Sequence, residues 1–348
     1  MAEAFPTTAP RNPAGPAPPR RPGSIRRTST LETTWPDGRE GQLQMVGRAR
    51  DAVTPPGGGA PIVCGFDEFR ARLQWDRTIT AIESTPPRPN IGRLVGARGG
   101  GHLRQALDEL LPDERRGATP LHLALDDISG VSLISGWAWS QWTGDGWTRG
   151  FGGETVDALK ERQRRMEGVC HGFTPGFSSM DPDPEGRGRH NAVPVVDLRH
   201  PDDPEGWHVF TPQEGVVAMR RARWIDVWRD GDLIRIDAGF QDSATTPAGG
   251  RVAIHEYGLK ATADASDPTL LTVEADPRVL PFRECPGAVN NLPKILGAPL
   301  SQLREEVLKQ FPRTAGCTHL NDALRALAET PALLARLGEA QVGEAAEA

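Results

Sequence analysis

The strongest constraint on this chain is that it repeats itself. Arg26 to Gly38 reads RRTSTLETTWPDG, and Met219 to Gly231 reads MRRARWIDVWRDG, so that Trp35-Pro36-Asp37-Gly38 aligns with Trp228-Arg229-Asp230-Gly231. Val53 to Gly58 (VTPPGG) matches Thr245 to Gly250 (TTPAGG), and Thr119 to Asp127 (TPLHLALDD) matches Gly316 to Leu324 (GCTHLNDAL). A sequence that restates one order of strand, turn and helix signals reads as one unit made twice. The copies differ in chemistry. The second holds His255, Cys285, Cys317 and His319, whereas at the matching places the first has Asp67, no cysteine, a Pro/Leu pair and His122. One copy that keeps a ligand set and one that loses it suggest a single working site on a two-part scaffold.

The length of 348 residues suffices for two domains. A formal net charge of -6 argues against nucleic acid as a partner, which needs a basic face. Arg20, Arg21, Arg26 and Arg27 form the one basic concentration, and so short a patch reads as solvated. No apolar run reaches the roughly 18 residues of a membrane span, and the first residues lack the apolar stretch of a secretory signal. Four cysteines in a chain of this size do not make a disulfide framework. The expectation is a soluble, bacterial-type cytoplasmic protein with reduced thiols.

Five regions follow. Residues 1–24 are Pro-, Ala- and Arg-rich, cannot bury a core of their own, and read as a disordered leader. Residues 25–140 form the first repeat, with strands over about 27–84 and helices at about 101–111 and 120–140. Residues 141–218 have no counterpart in the repeat. They bring tryptophans (with Trp137, Trp139, Trp142 and Trp147 in one patch), a charged helix, Cys170-His171, and a Pro/Asp/Gly-rich stretch read as a long loop. Residues 219–337 form the second repeat. ARWIDVWRDGDLIRIDAGFQDS reads as a hairpin around Asp230-Gly231, RVAIHEYGLKATAD and TLLTVEADPRVLPF as further strands, and the sequence from Pro286 as helices. Residues 338–348 are an acidic tail. Strands first and helices after predict an α+β fold: two tandem pseudo-repeated units, each an antiparallel sheet covered by its C-terminal helices.

The candidate metal ligands are His255, Cys285, Cys317 and His319. Their separations are not those of a zinc finger, but their local settings are informative. Cys285 precedes Pro286, a favoured first helical residue, and Cys317 precedes the last helical run. Thiols at helix N-termini meet unpaired N–H groups and the positive end of the dipole, which favour the thiolate that binds metals. Two thiolates and two imidazoles suit Zn or Fe. Taken singly, each cysteine also reads as a small buried hydrophobe and each histidine as an ordinary hydrogen-bonding residue.

Pro281 to Glu329, with its Gly316-Cys317-Thr318-His319-Leu320 stretch, resembles an uncharacterised bacterial domain-of-unknown-function family, number twenty-eight eighty-nine. The order strand, strand, Cys, helix, Leu-x-Gly, helix, Cys, helix is similar to the NifU/IscU type of iron–sulfur scaffold. That resemblance implies ligands at His255 or its neighbour, at Cys285 and at Cys317. This chain departs from the pattern in having histidines at 255 and 319 and two thiols rather than three, which favours a mononuclear ion over a cluster.

Other residues have weaker claims. Cys170 beside His171 reads as an activated thiol, or as ligands joining His122 on the first-repeat side. The tryptophans either line an aromatic pocket or pack two units together. Glu256 and Asp322 are candidate supports for His255 and His319. The expected function is a metal-binding accessory or scaffold-like component of a bacterial metabolic system, partnered by other subunits or a second copy. The alternative is a metal-dependent enzyme acting on a small, aromatic or ketonic organic substrate.

Overall fold

The structure is a computed structural model that describes residues 12–143, 164–180 and 191–347, with no side-chain detail beyond 341. Trp147, most of the charged helix read at 154–168, and the acidic stretch of the loop at 181–190 lie outside the described residues.

The strand signals in the sequence become one antiparallel sheet. Its strands are β1 (Ser24–Thr34), β2 (Leu43–Thr54), β3 (Ile62–Leu73), β4 (Ile79–Thr85), β5 (Val193–Val195), β6 (Ala218–Asp230), β7 (Leu233–Thr245), β8 (Arg251–Asp264) and β9 (Leu270–Val279). The order is β4-β3-β2-β1-β6-β7-β8, and both β5 and β9 pair with β8. The hairpin expected at Asp230-Gly231 is present, with Asp230 paired to Leu233 and Gly231 at φ 60, a value that glycine adopts without strain.

The sequence reading expected a separate sheet in each unit. Instead β1 pairs antiparallel with β6, from Ile25↔Val227 to Thr34↔Ala218, and all nine strands form one sheet. The physical reason is edge satisfaction: two separate sheets would each leave a long first strand with unpaired N–H and C=O groups, and pairing the two removes both edges.

Helices cover one face. On the N-terminal side are α1 (Gly101–Leu110), α2 (Pro112–Arg116), α3 (Pro120–Ile134) and α4 (Trp137–Thr143). On the C-terminal side a 3-10 segment, Cys285–Ile295, leads to α5 (Leu303–Gln310), α6 (Thr318–Ala326) and α7 (Thr330–Glu347). Pro286 and Pro293 withhold N–H groups from that first segment, in keeping with its staying 3-10 rather than α. Two apolar cores result. One gathers Phe69, Leu103, Leu125, Ile128 and Trp137, the other Ile236, Leu259, Leu303, Leu320 and Leu324.

Strand residues alternate between faces, and both faces of the central strands carry charge. Arg27, Arg221 and Arg223 point toward the helices. Arg27 pairs with Asp51 and Glu329, and Arg223 with Asp127. The other face is covered by residues 191–211 and by part of the leader. Trp207, Leu198, Ala17 and Trp224 form a small core there, and Arg26 holds Asp226 through two bonds of 2.6 Å. Residues 12–23 of the leader therefore depart from the disorder expected of them. Residues 12–23 lack a core of their own but lie on an existing one, with Ala17 buried, Ala17 N–H donating to Leu198 O, and Arg20 clamped to Asp203.

Candidate metal centre

Cross-strand register builds the site. Arg221 on β6 stands opposite Asp242 on β7, and Asp242 opposite His255 on β8. These three share the face under the helices, so they form a row. Helix α6 lowers His319 onto the end of that row. The His255 and His319 rings stack, with centroids 3.4 Å apart and planes at 18°. His255 Nδ1 lies 3.3 Å and His319 Nε2 3.8 Å from the same oxygen, Asp242 Oδ2. Ligand atoms of Asp242, His255 and His319 all come within 4.8 Å of one another. All three residues are buried, with Asp242 at 0% exposure.

The electrostatics follow from that burial. Arg221 grips Asp242 with Nε to Oδ1 at 2.8 Å and Nη2 to Oδ2 at 2.9 Å, and also reaches Asp127 and Asp322. Burial pushes the Asp242 carboxyl up. The Arg221 charge and hydrogen bonds, helped by His255, overrule that and hold it well below the usual carboxylate range. Burial drives the His255 imidazole down in spite of Asp242. Burial, and then His255 itself, drive His319 down. Both rings are therefore neutral, the form that binds metals. His319 Nε2 is buried without a hydrogen-bond partner, and buried His255 Nδ1 has none beyond its loose approach to Asp242 Oδ2. An orphaned buried ring nitrogen costs about 1–3 kcal/mol, and both nitrogens face one carboxylate oxygen.

The four ligands read from the sequence do not meet as a set. His255 and His319 come together, whereas Cys285 and Cys317 stand outside the 4.8 Å group. Helical geometry explains this for Cys317. Residues two apart at a helix start are about 200° apart around its axis, so Cys317 and His319 point different ways. Cys317 lies instead against Tyr257, two residues along β8 from His255. Asp242 is the member of this group that the sequence reading missed. Counting back from the Asp230-Gly231 turn puts Asp242 opposite Arg221, but an irregularity between Asp242 and Ser243 shifts the β7–β8 register, and only that shift sets Asp242 opposite His255.

Other candidates also find their places. Asp322 supports the site through Arg221. Glu256 does not, because it points to the opposite face, accepting from Gln241 and from the Ala14 amide. His122 sits 3.9 Å from Glu329, and Asp67 is taken up by Arg88 and the Leu121 amide. Cys170 and His171 dock beside Cys285 and Gly316 rather than near His122. Trp137 is buried in the N-terminal core, Trp139 meets Trp35 edge-on, and Trp142 donates to Thr245 O, so these three act in packing. A cleft of about 290 Å³ is lined by Trp35, Trp75, Arg77 and Arg98, with none of the Asp242 group in its wall.

Residues 219–333 match the model of a family described as "Protein of unknown function (DUF2889)", which covers β6 to the start of α7 and so the whole Asp242 group. No curated protein and no solved structure matches the chain. None of the described helices is long and apolar enough to cross a membrane.

Proposed function

We propose that this protein holds one divalent metal ion, Zn or Fe(II), between Asp242, His255 and His319, and serves as an accessory or scaffold-like component rather than a self-sufficient catalyst. One observation carries the reading: two buried, neutral imidazole nitrogens, with no partner other than that atom, converge on a single ionised carboxylate oxygen. Asp242 Oδ2 accepts one bond from Arg221 and keeps a lone pair for an ion. Two imidazoles and a carboxylate suit either metal. Arg221 fixes the carboxylate as a carboxylate–metal partner requires. Near-complete burial of all three residues favours a resident ion over one that exchanges with substrate.

We further infer that the two halves descend from one duplicated unit. Arg27 pairs with its own half's Asp51 and the other half's Glu329, while Arg221 pairs with its own half's Asp242 and the other half's Asp127. This exchange supports a pseudo-two-fold pair in which the first half braces the site of the second.

The test is elemental analysis of protein purified without a metal-affinity tag, against a His255→Ala/His319→Ala variant. The proposal expects bound Zn or Fe in the wild type and its loss from this site in the variant. Equal metal in both would defeat it.

A further inference from the structure

Three of the four cysteines come from distant parts of the chain and converge beside Tyr257. We propose that Cys170, Cys285 and Cys317 form a second, thiol-rich site for a thiophilic divalent ion such as Zn²⁺, separate from the Asp242 group and independent of it.

The backbone assembles this cluster. Cys170 precedes the short 3-10 turn His171–Phe173, Cys285 opens the 3-10 segment Cys285–Ile295, and Cys317 caps α6. The His171 N–H donates to Gly316 O at 2.7 Å, which docks the Cys170 turn on the residue before Cys317. Gly172 lets two sulfurs approach the same stretch of backbone. A Cβ added there would stand 2.6 Å from Cys285 Sγ and 4.0 Å from Cys170 Sγ. Gly287 makes room in the same way for the His171 ring, whose Nε2 would lie 2.5 Å from an added Cβ. The Ser179 hydroxyl donates to Gly172 O and holds the turn in place.

Burial holds all three sulfurs as neutral thiols, raising each above the usual cysteine range. The Tyr257 hydroxyl is fully buried and lies against Cys317. The sulfurs are spaced more widely than the ligand atoms of the Asp242 group. Rotation about their χ1 angles draws them onto an ion. Binding replaces three S–H bonds with three sulfur–metal bonds and releases three protons. Cys285 and Cys317 are buried and Cys170 only partly so, which leaves entry on the Cys170 side.

The experiment is Co²⁺ titration of the metal-free full chain, read in the near-ultraviolet thiolate-to-cobalt charge-transfer band. Imidazole and carboxylate ligands do not give this band. The proposal expects it in the wild type, and undiminished in Cys64→Ser and in His255→Ala/His319→Ala. In Cys170→Ser, a partly exposed position whose fold is checked by circular dichroism, the band falls by about a third or more as one of three thiolates is lost. No band in the wild type, or a band unchanged in both Cys170→Ser and Cys317→Ser, overturns it. A band that survives the double histidine variant, with no metal lost from that variant, refutes the Asp242 site and leaves the thiol site standing.

Discussion

His208 gives the most quantitative prediction. It is buried on the face opposite the Asp242 group, with Nδ1 2.9 Å from the Thr28 hydroxyl and Nε2 2.8 Å from the Thr30 hydroxyl. Burial, and then the charges of Arg50, Arg48 and Arg220, hold it down at about 3, against 6.5 for a free imidazole. The unfolded chain therefore binds a proton over a pH range where the folded chain does not. The folded state keeps its full margin above the unfolded value and loses it as pH falls toward the folded one. Between about pH 7 and about pH 5 the loss is about 2 kcal/mol, since each unit below 6.5 costs about 1.4. His255 and His319 act in the same direction, so the effect is isolated by difference. His208→Gln keeps a donor and an acceptor for the two threonines but cannot titrate in this range. In urea unfolding at both pH values, the wild type should lose about 2 kcal/mol more than the variant, with unchanged m-values. The same pH dependence in both proteins would refute the reasoning.

Two further perturbations probe the fold and the site. Arg221→Met removes the cation that grips Asp242 through two hydrogen bonds and should cost about 3–5 kcal/mol in urea unfolding; a loss under about 1 kcal/mol would show that the arginine is not the main counter-charge of Asp242. Gly47→Ala places a Cβ 2.0 Å from the Phe69 ring on the neighbouring strand, and overpacking of this kind should cost about 1–3 kcal/mol, partly recovered by adding Phe69→Leu; an unchanged melting temperature in the single variant would contradict that packing.

Much of this architecture could be read from local pattern, because local pattern is what alternation and turn residues encode. Alternation in RVAIHEYGLKATAD marked β8, and Asp230-Gly231 marked the β6–β7 hairpin. What escaped was non-local. Nothing within either half says that β1 takes β6 as its neighbour, because that choice is made by two open edges finding each other. The order of residues 12–23 escaped for a related reason: their composition rules out a core of their own, yet Ala17 is small enough to lie against Leu198 and Trp207 on another segment's core. At the site, the histidines could be found as ligand types. Asp242 could not, since a carboxylate in a strand looks ordinary until register sets it beside Arg221 and His255. Counting soft ligands along the chain merged Cys317 with His319, whereas helical rotation separates them.

The most direct test of the metal centre is a crystal of the full chain and an anomalous difference map collected at the absorption edge of the metal it carries. The account predicts a peak bounded by His255 Nδ1, His319 Nε2 and Asp242 Oδ2, with the Arg221 clamp on Asp242 intact. A map with no peak there, and a water or nothing between the two rings, would contradict it.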